Sequence, residues 1–79
     1  MTEMGPSARA DIRAVLARFG ISSALRASDA DPSEEVFLLK ESDFKRINPD
    51  EVSLAIMAVL PNTKVWVIEE HSAWEVEQL

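Results

Sequence analysis

The chain has 79 residues, a net charge of −6, 47% hydrophobic and 28% charged side chains, one histidine and no cysteine. That is room for one domain with one core; it excludes disulfides and thiolate metal sites, and it leaves a transition-metal site short of ligands. So small a core seldom supplies more than about 3–5 kcal/mol unaided, and association with another chain is the support left open.

The charge is unevenly placed. Residues 1–26 carry four arginines against Glu3 and Asp11, a balance of +2, whereas residues 27–79 carry twelve acids against Lys40, Lys45, Arg46 and Lys64, a balance of −8. An acidic surface is repelled by phosphate, so nucleic acid is not an expected partner, while a basic protein is electrostatically favoured. No stretch approaches 18 consecutive apolar residues, so no spanning helix and no membrane partner are expected. The opening MTEMGPSARADIRAVLARFG has an acid at position 3 and no apolar h-region, unlike a signal peptide. Together with the missing cysteine, this suits a cytoplasmic location.

Residues 1–6 read as a flexible leader to a single domain over 7–79, whose last ten residues, 70–79, form a tail. Ser7 is a candidate N-cap for a first helix, in which Ile12, Val15, Leu16 and Phe19 fall at i, i+3, i+4 and i+7 on one face. Gly20 stops it at the position where a positive φ suits glycine. Residues 21–27, ISSALRA, alternate weakly and predict an edge strand with Ile21, Ser23, Leu25 and Ala27 on one side. SDADPS at 28–33 is turn chemistry. In EEVFLLKE the side-by-side Val36, Phe37, Leu38 and Leu39 predict a strand apolar on both faces.

Phe44 and Ile47 in SDFKRI, three residues apart, fit one helical turn against the core. In NPDEVSLAIMAVLP, Asn48 is an N-cap, Pro49 occupies N1 and Glu51 at N3 is placed to reach back in a capping box. Asp50 and Glu51 also complement the positive end of the helix dipole. Val52, Ala55, Ile56, Val59 and Leu60 form the inward stripe of a helix over 49–60, with Leu54, Met57 and Ala58 widening its apolar arc. Pro61 and Asn62 end it, and KVWVI follows as a second strand apolar on both faces.

The expected fold is therefore α/β of the α+β kind: order α-β-β-α-β, a three-stranded mixed sheet in order 1-2-3 and two helices. The strand–helix–strand unit joins parallel strands, and the first two strands pair as a hairpin. This order is similar to that of small KH-like and BolA-like folds. A KH domain needs a GxxG loop and a basic groove, and neither is present, so no residue roles are carried over.

Little in the sequence supports catalysis. Glu69, Glu70 and His71 are adjacent, and neighbours at a strand end point apart. No HExxH spacing or glycine-rich phosphate loop exists, and no serine stands in G-x-S-x-G. DADPSEE at 29–35 lacks the glycine and the final glutamate of a calcium loop. No cofactor or metal is expected, and an enzyme using His71 with Glu69 or Glu70 ranks last.

The informative feature is a shortage of cover. Val65 and Val67 point one way from the last strand while Trp66 and Ile68 point the other, and Val36 and Leu38 separate likewise from Phe37 and Leu39. Two helices on one face leave the other greasy, and such a patch marks an interface; helices on opposite faces, or a tail folded back through Trp74, Val76 and Leu79, would instead cover it. The leading expectation is a non-catalytic interaction or regulatory module, a homo-oligomer or a binder of another protein, with Phe37, Leu39, Trp66, Ile68 and Trp74 as contact residues. The alternative expectation is an acidic inhibitor or immunity-type protein meeting a basic enzyme through Asp29, Asp31, Glu34, Glu35, Glu69, Glu70, Glu75 and Glu77.

Overall fold

A computed structural model describes residues 5–27, 33–71 and 75–79. In chain order they form α1 (Pro6–Arg18), β1 (Leu25–Ala27), β2 (Glu34–Leu39), α2 (Glu41–Phe44), α3 (Pro49–Met57), β3 (Lys64–Glu69) and β4 (Val76–Gln78). The fold is a small α+β domain with a mixed four-stranded sheet in the order β3-β2-β1-β4. β2 and β3 run parallel, joined through α2 and α3, and β1 pairs antiparallel with both β2 and β4. The anticipated three-stranded sheet, with residues 35–40 in its middle, is thus three-quarters of the real one, in which that strand runs Glu34–Leu39. The tail supplies a fourth strand.

Helix α1 begins earlier than Ser7. Gly5 is its N-cap, Pro6 is the first helical residue, and the Arg9 amide donates to the Gly5 carbonyl at 3.1 Å. Proline suits that position because its missing N–H has no intrahelical partner there in any case. The other end matches expectation: Gly20 has φ +77. The Gly20 amide donates to Ala17 and the Ile21 amide to Leu16, each at 3.0 Å, which is the paired bonding of a Schellman motif. Closing the helix in this way turns Ile21 into the core beside Leu16. Ile21 is thus lost to the strand, and β1 is three residues long where seven were anticipated.

Helix α3 opens on the expected N-cap, with the Asn48 side chain accepting from the Asp50 amide at 3.0 Å. The return bond from Glu51 that would complete a capping box is not formed among the described residues. Its α-helical part stops at Met57, short of residue 60. The amides of Val59 and Leu60 both donate to the Ile56 carbonyl. Pro61 disfavours helical backbone in the residue before it, and Asn62 takes φ +67 to reverse the chain. Between β2 and α3, the single turn α2 leaves Phe44 and, just beyond it, Ile47 half-buried against the core.

Both long helices lie on the same face of the sheet. Ile12, Val15 and Leu16 of α1 and Val52 and Ile56 of α3 form one buried cluster with Phe37, Leu39, Val65 and Val67. A second, smaller cluster of Ala27, Val36 and Leu38, flanked by Leu25 and Ile68, contains no helical residue. Among the described residues no helix is long and apolar enough to cross a membrane.

Candidate protein-interaction surface

Strand register sorts the side chains into two faces. Arg26, Phe37 and Val67 are successive cross-strand partners and point toward the helices, whereas Leu25, Leu38 and Ile68 are partners on the opposite face. Val36 pairs with Trp66, and Ala27 with Val76, on that second face. Among the described residues it therefore carries seven apolar side chains and no helix. Its middle is tightly packed: Ala27 is 2%, Val36 6% and Leu38 1% exposed. Exposure is concentrated at the two margins, with Trp66 45% and Val76 40% exposed. Beside Trp66 a shallow, mainly apolar groove is lined by Glu34, Val36, Trp66 and Ile68.

The five expected contact residues do not share a face. Phe37 and Leu39 are fully buried under α1 and α3 and belong to the core, not to a contact surface. The cause is the period-2 alternation of a strand: once the helices cover one side, every second residue of β2 goes with it. Trp66 and Ile68 lie together on the helix-free face. Trp74 lies outside the described residues. Leu25, Val36 and Val76 join Trp66 and Ile68 instead, and they become visible only once the register is known.

The acidic residues are also divided. Glu35 is buried and accepts a bidentate pair from Arg26, at 2.7 Å from Nε and 2.9 Å from Nη2. Glu77 accepts from Arg26 Nη1 at 2.5 Å and from Arg9 Nη2 at 3.0 Å. Arg26 is held charged above its ordinary range, chiefly by its hydrogen bond to Glu35, against the opposing effect of burial. The Glu77 carboxyl is held below its ordinary range, first by Arg26 and then by Arg9. This network ties β4 and α1 to the middle of the sheet, so Glu35 and Glu77 serve the fold. Of the remaining acids named for a basic partner, Glu69, Glu70 and Glu75 are exposed and Glu34 is half-buried, while Asp29 and Asp31 lie outside the described residues.

His71 is exposed just past the end of β3. Among the described residues no group of three or more histidine, aspartate or glutamate side chains is placed to hold a metal ion.

The two edges of the sheet differ in protection. Along β3, Lys64 donates its amide to Ser33 at 3.1 Å and Glu70 donates to Leu39 at 2.7 Å, so the even-numbered residues turn their backbone groups toward β2. Those of Val65, Val67 and Glu69 consequently point outward. The Val65 carbonyl accepts from the Ser53 hydroxyl at 2.7 Å. On β4, Leu79 donates to Ala24, which leaves Val76 and Gln78 pointing outward. There Arg9 donates to the Gln78 carbonyl at 3.2 Å, and Arg13 binds the Leu79 carbonyl at 2.8 Å. The β4 edge is thus three residues long and held by arginine, while the β3 edge is six residues long.

Fold and surface together define a small α+β domain with one helix-covered and one helix-free sheet face. No family model, curated protein or solved structure matches the chain.

Proposed function

We propose that this protein is a non-catalytic interaction module that meets a protein partner through its helix-free sheet face, at the β3 margin. The supporting observation is the placement of both long helices on one side, which leaves Trp66 45% exposed beside Ile68 on the other. A half-exposed tryptophan at the border of an apolar face is the kind of residue on which binding energy concentrates. Lys64 adds to the surface by placing its ammonium 5.2 Å from the Trp66 ring centroid, where the charge is attracted to the ring. A cytoplasmic location belongs to the same proposal: a chain without cysteine needs no oxidising compartment in order to fold.

The test is Trp66→Ser. Urea unfolding should show a stability change well below that of a core truncation, because nearly half of the residue is exposed, while association, read by sedimentation and by co-purification, is lost. His71→Ala should leave association intact. Sedimentation and co-purification profiles for Trp66→Ser that superimpose on those of the parent protein would overturn the proposal.

A further inference from the structure

Self-pairing is the simplest way to satisfy an open strand edge, and the β3 edge has the features it requires. We infer that two copies of this chain join along β3 in an antiparallel register centred on Val67, making one continuous eight-stranded sheet. This rests on the proposed interaction surface and names its partner as a second copy.

The register follows from the backbone and then from charge. The outward groups belong to Val65, Val67 and Glu69, so a two-fold axis perpendicular to the sheet at Val67 opposes Val67 to its own copy and Val65 to Glu69. In each case outward amides meet outward carbonyls. On the helix-free face the same register sets Trp66 opposite Ile68, so the apolar strip continues across the junction. One step further, Lys64 stands opposite Glu70. Neither makes an ion pair among the described residues. Moving the axis by one residue, to Trp66 or Ile68, loses that match: Lys64 then faces Ile68, or Glu70 faces Trp66. The outer edge of β4 is the poorer one: it is three residues long, and Arg9 and Arg13 bind the carbonyls of Gln78 and Leu79. Along the six residues of β3, among the described residues, only the Val65 carbonyl has a side-chain donor, the Ser53 hydroxyl, and a carbonyl oxygen has a second lone pair for a cross-strand amide.

Helix α3 carries independent support. Ser53 reaches the outward Val65 carbonyl, so its flank of α3 overhangs the open edge. Met57, four residues on, shares that flank, and Leu54 adjoins Met57. Leu54 is 64% exposed, the most exposed large apolar side chain among the described residues. The two-fold axis brings the two α3 helices side by side, at the ~8–10 Å spacing of packed helices, with Leu54 and Met57 between them. Each protomer's charge of −6 opposes approach, and about 0.15 M salt screens that repulsion beyond ~8 Å.

Sedimentation velocity at ~100 µM protein and 0.15 M salt tests this. The expected parent species is a dimer. Lys64→Glu and Glu70→Lys each place like charges opposite one another twice per dimer, which weakens self-association about ten- to thirtyfold. Mixing the two variants in equal amounts restores opposite charges at both pairs and should restore dimer. Asp11→Lys, with the same charge change as Glu70→Lys but placed on exposed α1, should have no such effect. Glu69→Pro removes an outward amide while sparing every bond to β2, and should give monomer with a cooperative unfolding transition. Leu54→Glu should also favour monomer. A monomeric parent, or single reversals no different from Asp11→Lys, or a mixture no better than its components, overturns the inference. If Trp66→Ser abolishes self-association while the charge and proline variants leave it intact, the interaction surface stands and this register fails.

Discussion

Replacement of Arg26 is expected to be the most damaging single change among the described residues. Arg26→Met keeps the aliphatic stem and removes the guanidinium. Glu35, whose side chain is 8% exposed, is left among apolar neighbours without its two short charge-assisted bonds. Removing one partner of a buried pair costs about 3–5 kcal/mol, because the surviving charge is neither paired nor hydrated. A chain of this size has about 3–5 kcal/mol in total, so the variant is expected to be largely unfolded without denaturant. With a slope of about 1 kcal/mol per molar urea, the midpoint moves down by about 3–5 M, to near zero denaturant, measured by circular dichroism at pH 7. The double variant Arg26→Met/Glu35→Leu removes both charges and should recover to within about 1 kcal/mol of the parent, since apolar replacement of a buried pair is often neutral. A loss below about 1 kcal/mol for Arg26→Met, or a double variant no more stable than the single one, would refute the assignment of the network as the electrostatic centre of the fold.

Three further outcomes follow from the same geometry. Because Arg26 and Arg9 hold the Glu77 carboxyl below its ordinary range, the unfolded chain binds more protons there; the stability it supplies is present above the ordinary carboxylate range and disappears as pH falls through the lowered folded value. The protection of the Glu77 and Leu79 amides, taken relative to intrinsic exchange at each pH, should therefore fall on acidification in that window, and Glu77→Gln should remove this part of the pH dependence. Asn48→Ala removes the cap on α3 and should cost about 1 kcal/mol in urea unfolding. Gly20→Ala should cost about 1–2 kcal/mol; the nearest neighbour of an added Cβ, Arg46 Nη1 at 3.5 Å, is in ordinary contact, so the penalty comes from φ +77 and not from crowding. A Gly20→Ala variant as stable as the parent would show that the turn relaxes freely.

The division of each central strand into two apolar sets was legible in the sequence because strand alternation is a local property: Trp66 and Ile68 had to part from Val65 and Val67 wherever β3 lay. Which half of each strand would be covered was not legible, since the choice depends on where α1 and α3 dock. That is why Phe37 and Leu39 entered the expected contact set and left it. Arg26 and Glu35 were missed for a related reason. In the chain, one is a cation in a weakly alternating segment and the other an acid before an apolar run. Their bidentate contact exists only after β1 and β2 align Arg26 with Phe37.

Local chemistry alone determined the starts and stops that single residues dictate: Gly20 behind α1, Asn48 and Pro49 ahead of α3, Pro61 and Asn62 behind it. Each acts through its own φ, its missing amide or a side chain within three residues. The fourth strand was decided by tertiary structure. Val76–Gln78 has neither the length nor the alternation of a strand. It becomes one because Arg26 and Arg9 converge on Glu77 while Arg9 and Arg13 bind the following carbonyls, from positions more than fifty residues away. Interactions at that separation leave no periodicity in the sequence, and they determine which edge of the sheet is closed and which stays open.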